Sequence, residues 1–158
     1  KDLKNVKLQT EATDRQQMTI VAIFEYMIGN TDWAVSVNHN TKLVKSIDDS
    51  LARPFVIPYD FDYSGLVNTS YAVPDERLNI ENVRQRLYRG FPRSLTEIEE
   101  AVAIFRLQKD KIYALINNFD LLTRASKTDM TQYLDEFYTI INDPRSLKRT
   151  FVDNARNQ

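Results

Sequence analysis

Cysteine is absent from the 158 residues, which excludes a disulfide framework and any thiolate metal site. It does not fix a compartment. Histidine occurs once, at His39, so no second imidazole is available for a zinc site. Glycine occurs only at Gly29, Gly65 and Gly90, too few and too scattered for a Gly-rich phosphate loop. No apolar run approaches the roughly 18 residues of a membrane span, and the leading residues show no signal-peptide pattern. An excess of either charge is missing as well. Lys and Arg number 21 against 22 Asp and Glu, for a net charge of -1 and a sequence pI near 5.9. That balance argues against a dedicated nucleic-acid binder, which carries a basic excess.

What is present is an ordinary globular composition, 42% hydrophobic and 27% charged. The length predicts one domain able to bury a core without staples. The chain opens Lys1-Asp2-Leu3-Lys4 with no Met, so it is expected to be part of a longer protein.

Residues 1–12 are polar and aperiodic and read as an irregular lead-in. From Thr13 to Ile28, Met18, Val21, Phe24 and Ile28 form one apolar stripe, and Ile20, Ile23 and Met27 form another. A helix apolar on two faces is expected to be buried. Thr13 or Asp14 can cap its start, and Gly29 stands where a left-handed cap ends it. Residues 30–40 read as a loop, and Thr41–Lys45 and Pro54–Ile57 as a β-hairpin around a turn at Ser46–Ser50. Residues 63–77 read as a long loop.

The remainder reads as helical. Residues 79–89 are predicted to form a short helix ended by Gly90. Ser94 and Glu97 form a capping box, followed by a helix carrying Ile98, Val102, Phe105, Ile112, Ile116 and Phe119. A further helix after Thr128 carries Met130, Leu134, Phe137 and Ile141, and Asp143-Pro144 opens a last short one. The expected layout is one domain over 1–158, with a helix-loop-hairpin at 13–65 and a helical subdomain at 66–158. The fold class is mainly α with a small β-hairpin.

Chemistry concentrates in Gly29-Asn30-Thr31-Asp32-Trp33, His39-Asn40 and Ile57-Pro58-Tyr59-Asp60-Phe61-Asp62. Phosphoryl transfer asks a protein mainly to position the acceptor and neutralise phosphate charge. A carboxylate can orient a hydroxyl, and further oxygen donors suit Mg²⁺, a hard ion. A buried helix, a loop with Asp then Asn, a hairpin and an Asp directly after it follow here in that order.

This pattern over residues 29–65 resembles the C-terminal lobe of atypical protein-kinase-like phosphotransferases, the spore-coat CotH kinases and more loosely the HipA-like kinases. The resemblance implies a kinase-like C-lobe architecture using ATP with Mg²⁺ or Mn²⁺. It implies Asp32 as the catalytic aspartate, Asn40 as a metal ligand, Asp60 as the metal aspartate and Asp62 as an accessory acid. Two details differ. Protein kinases place the Asn five residues after the Asp, whereas Asn38 lies six and Asn40 eight residues on, and Asp-Phe-Asp replaces Asp-Phe-Gly. The nucleotide-binding lobe is expected on a part of the protein outside these residues, since Lys1, Lys4 and Lys7 are poor candidates for its phosphate-contacting lysine.

The partners so implied are a nucleotide and a protein or small-molecule acceptor. The alternative is a non-catalytic kinase-like binding module. A metal-dependent phosphohydrolase would need a second metal site and more ligands than the chain offers. His39 is expected to orient its loop by hydrogen bonding rather than act as a base. Trp33 is expected to pack the loop onto the core rather than stack a base or sugar, and Tyr59, Tyr63, Tyr71 and Tyr88, which surround the site in sequence, to pack core or loops, with substrate stacking as the alternative. Arg77, Arg84, Arg86, Arg89 and Arg93 read as a solvated helix face, with recognition of a phosphate or acidic substrate as the functional alternative.

Overall fold

The structure, a computed structural model, describes residues 1–3, 6–49 and 51–155. Lys4 and Ser50, named above, lie outside the described residues. The chain is mainly helical with one small antiparallel sheet, and its contacts divide it into two compact units, residues 1–87 and residues from 88 onward.

The first unit is built on α1, Arg15–Ile28. Asp14 caps it by accepting from the Gln17 amide at 2.9 Å, so of the two candidate caps the nearer residue serves. Gly29 ends it in the left-handed region at φ 68°, and the Gly29 and Asn30 amides turn back to the carbonyls of Tyr26 and Glu25. Residues from both predicted stripes, including Met18, Val21, Ile23 and Met27, are buried.

Against α1 lies a hairpin of β1, Thr41–Val44, and β2, Phe55–Pro58, paired so that Thr41 faces Pro58 and Val44 faces Phe55. Leu43 and Val56 point inward and are buried, while Phe55 and Ile57 point outward, following the period of two along a strand. Gln17 reaches across from α1: its amide nitrogen donates to the Val56 carbonyl at 2.7 Å and its oxygen accepts from the Val56 amide at 2.9 Å. A side chain thus takes the place of a third strand on the outer edge of β2. The other edge, on β1, is met by residues 1–3. Leu3 donates to the Leu43 carbonyl at 2.8 Å and Lys45 to the Lys1 carbonyl at 2.9 Å. These first residues are therefore paired, because an open strand edge accepts backbone partners whatever their side-chain period.

Residues 79–89 are not helical. A single 3₁₀ turn, Glu76–Leu78, ends at Asn79, which is left-handed at φ 52°. The side chains of Asn82 and Gln85 then take the amides of Arg84 and Glu81 at 3.0 and 2.9 Å. Side chains that bond nearby backbone groups compete with the helix ladder, and here they prevail. With no helix there, the expected solvated arginine face does not exist. Arg84 donates to the Gly65 carbonyl and Arg86 to the Met27 carbonyl, pinning this segment within the first unit.

The second unit contains α2, Leu95–Asn117, α3, Arg124–Asn142, and α4, Pro144–Lys148. The capping box forms as expected, with the Ser94 amide donating to Glu97 at 2.8 Å and the Glu97 amide to Ser94 Oγ at 3.2 Å. Thr123 caps α3, which begins ahead of Thr128. Helices α2 and α3 pack through Phe105 against Phe137, ring centres 5.7 Å apart, and Tyr138 donates to the Phe105 carbonyl at 3.2 Å. Phe119 lies beyond the end of α2 and is half exposed rather than in the core. Asp143 caps α4 with Pro144 in its first turn, and a π-turn at Arg149–Asp153 follows, burying Phe151.

Gly90 has a different use from the one expected. A Cβ at this position would collide with the Tyr88 ring, which stacks edge-on against Phe151 with ring centres 4.9 Å apart. Its lack of a side chain lets an aromatic ring in; no helix end is involved.

Candidate functional site

The site forms within the first unit, where the end of α1 meets the open end of the hairpin. Asn30, 1% exposed, accepts from the Asp32 amide through its side chain at 3.0 Å and so sets the direction in which Asp32 leaves the helix. Trp33, also buried, anchors the next position, as the sequence reading expected. The chain then makes a tight excursion. Ala34 and His39 exchange two backbone hydrogen bonds of 2.9 Å, with a 3₁₀ turn, Val35–Val37, between them and Asn38 left-handed at φ 54°.

That closed loop returns His39 and Asn40 to Asp32. His39 Nε2 lies 2.7 Å from Asp32 Oδ1. Asn40 Nδ2 donates to the Asp32 carbonyl at 2.8 Å and to Asp32 Oδ2 at 2.9 Å. The spacing of eight residues is accommodated because the intervening segment folds back on itself. Asn38 takes no part in this cluster, as its amide donates to the Val6 carbonyl at 3.1 Å.

Asn40 immediately precedes β1 and Asp60 immediately follows Tyr59, whose amide donates to the Asn40 carbonyl at 3.0 Å. The hairpin therefore sets Tyr59 opposite Asn40, with Asp60 one residue beyond it. Asn40 and Asp60 are both left-handed, at φ 51° and φ 63°, a conformation that Asn and Asp tolerate better than other side-chain-bearing residues. The neighbouring Asp62 carboxylate pushes Asp60 above its ordinary value of 3.8. Lost hydration, a hydrogen bond between the two carboxyl groups and the charge of Asp32 act in the same direction, and His39 opposes them.

Asp62 is held from the following loop. Tyr71 donates to Asp62 Oδ2 at 3.0 Å, and Thr69 Oγ1 donates to the Asp62 carbonyl at 3.0 Å. The Tyr71 phenol is raised, chiefly by that hydrogen bond to Asp62. Tyr71 also packs against Tyr63 at a tilt of 57°, with ring centres 5.9 Å apart. Its link to the acids was not foreseen, since nothing periodic marks a tyrosine nine residues downstream in an irregular loop. Beside the acids lies an open cleft of about 540 Å³, bounded by Thr31, Asp32, Tyr63 and residues of the 73–83 segment.

Of the residues singled out from sequence, Asp32 and Asn40 are in direct contact, and Asp60 feels the charge of Asp62 first and of Asp32 less. Among the described residues no three His, Cys, Asp or Glu groups are gathered closely enough to hold a metal ion. The donor chemistry nevertheless suits a hard cation. Asp60 and Asp62 offer oxygens that repel one another, and the Asn40 amide, bound to Asp32 through nitrogen, leaves its oxygen as an additional donor.

Compared with known proteins, the chain matches no family model, no curated protein and no solved structure. Among the described residues no helix is long and apolar enough to cross a membrane.

Proposed function

We propose that this chain carries the catalytic half of a metal-dependent phosphotransferase with a kinase-like C-lobe. The observation that carries the reading is the Asp32–Asn40 contact, with Asp60 one residue past the Tyr59 whose amide bonds to Asn40. In this reading Asp32 orients the acceptor hydroxyl, and His39 and Asn40 fix its two carboxylate oxygens. The hydroxyl oxygen bonds to the γ-phosphorus of ATP. The bond from that phosphorus to the β–γ bridging oxygen breaks, ADP leaves, and the hydroxyl proton passes to Asp32. Asp60, Asp62 and the Asn40 oxygen would hold Mg²⁺ or Mn²⁺, which supplies neutralisation of phosphate charge. With three dispersed glycines, no residue of this chain is assigned the grip on the nucleotide.

A second reading, a non-catalytic kinase-like binding module, is favoured by the absence of a closed three-acid metal group among the described residues. Transfer of label from γ-labelled ATP separates the two. The full-length protein should transfer label in Mg²⁺ or Mn²⁺ and lose that ability on Asp60→Ala. No transfer with either metal would leave the binding module as the better reading.

A further inference from the structure

We propose that the cleft beside Asp32 is the acceptor seat, and that it selects a small hydroxylated molecule bearing positive charge, an amino sugar in chemical class. The fate of the bound molecule rests on the phosphotransferase reading above; its binding does not.

The cleft volume, about 540 Å³, lies within the roughly 300–1,000 Å³ span of small-molecule sites. Its lining has two characters. Tyr63, Val73, Pro74 and buried Val83 give it an apolar wall, suited to the C–H face of a sugar ring. Its charges come from Asp32, Asp75, Glu76 and Arg77. Arg77 is already committed, because its guanidinium Nε donates to both oxygens of Asp75 at 2.9 and 3.1 Å and its Nη2 donates at 2.5 Å. That fork pairs Arg77, the one cation among the lining residues, with Asp75.

Two further carboxylates line the cleft. Asp32 accepts from Asn40 at 2.9 Å and lies 2.7 Å from His39 Nε2. The Glu76 residue is exposed, and its carboxylate makes no hydrogen bond or ion pair among the described residues. An ammonium group on the substrate would face Glu76 while a hydroxyl faces Asp32. An acceptor carrying phosphate or carboxylate would meet repulsion instead. In the reaction, the sugar hydroxyl oxygen gains the γ-phosphorus of a nucleoside triphosphate, the nucleoside diphosphate leaves with the bridging oxygen, and the proton goes to Asp32.

The test is a titration of the ¹⁵N-labelled full chain with glucosamine, glucose and glucuronate, without nucleotide. Glucosamine should move the amide signals of Thr31, Glu76 and Val83, and bind about 3-fold or more tighter than glucose, the scale of one exposed ion pair. Glucuronate should bind more weakly than both. Glu76→Gln should abolish the preference for glucosamine, while the signals of β1 and β2 stay in place. Equal binding of glucose and glucosamine, or tightest binding of glucuronate, overturns the proposal. So does a basic serine-containing peptide that displaces glucosamine from the same amides at lower concentration.

Turnover separates this inference from its parent. Label transfer that favours neutral acceptors over amines overturns the cleft assignment and leaves the phosphotransferase reading intact. Selective amine binding with no label transfer supports the cleft assignment and counts against the phosphotransferase.

Discussion

Asn40 donates through one amide nitrogen to two acceptors on Asp32, the main-chain carbonyl at 2.8 Å and Oδ2 at 2.9 Å. One side chain thereby fixes both the backbone and the carboxylate of the candidate catalytic residue. Asn40→Gly tests this, because glycine tolerates the left-handed backbone at φ 51° while the side chain that makes both bonds is removed. The variant should lose about 1 kcal/mol of stability in urea, the scale of a partly exposed hydrogen bond. Label transfer should fall much further than stability does. A fall no larger than the loss of folded protein would reduce Asn40 to a structural role.

Asp60 predicts a stability effect of opposite sign. Its carboxyl is raised above 3.8, first by Asp62, so the folded chain holds this proton more tightly than the unfolded one. The associated stability is fully present below pH 3.8 and is lost as pH rises through the raised folded value. At pH 7 the charged pair is therefore a liability in the metal-free chain. Asp60→Asn, compatible with the left-handed backbone, should raise the melting temperature at pH 7. Mn²⁺ should raise that of the native chain and leave the variant unmoved. A metal-independent melting temperature in both proteins would argue against a cation at this pair.

How much was legible follows the local chemistry. Helix α1 was readable because Asp14, Gly29 and two apolar stripes agree, and α2 because Ser94 and Glu97 cap it reciprocally. Residues 79–89 misled because Ile80, Val83 and Leu87 imitate a helical period, while Asn82 and Gln85 bond their own backbone. Asp32, Asn40, Asp60 and Asp62 stood out because each flanks a recognisable element. Tyr63 and Tyr71 were legible only as packing residues, and neither the Tyr71 bond to Asp62 nor the cleft wall was. Their loop runs without a period, and its path depends on tertiary contacts such as Thr69 with Asp62.

Gly90 predicts an overpacking defect. Gly90→Ala would drive a methyl into the Tyr88 ring, at a cost of about 1–3 kcal/mol in denaturant unfolding. Combining it with Tyr88→Ala should be clearly non-additive, since the collision needs both groups. Additive losses would place the strain elsewhere.

Tyr88 also predicts an alkaline limit. Burial pushes its phenol up to about 12 from 10.0, with Arg93 opposing. Raised in the folded state, it contributes stability that is complete below pH 10 and declines as pH rises toward 12. Tyr88→Phe should flatten the loss of melting temperature over that interval. An unchanged alkaline profile would assign the loss to other groups.

The clamp between Gln17 and Val56 has a consequence outside the folded chain. A strand whose edge is open can recruit another strand from a second molecule. On β2 the exposed Phe55 and Ile57 flank Val56, which would make such recruitment adhesive. The Gln17 amide occupies both hydrogen-bonding groups of Val56 and keeps that edge from serving as a template. A helix side chain thus acts as a gatekeeper against strand-to-strand self-association.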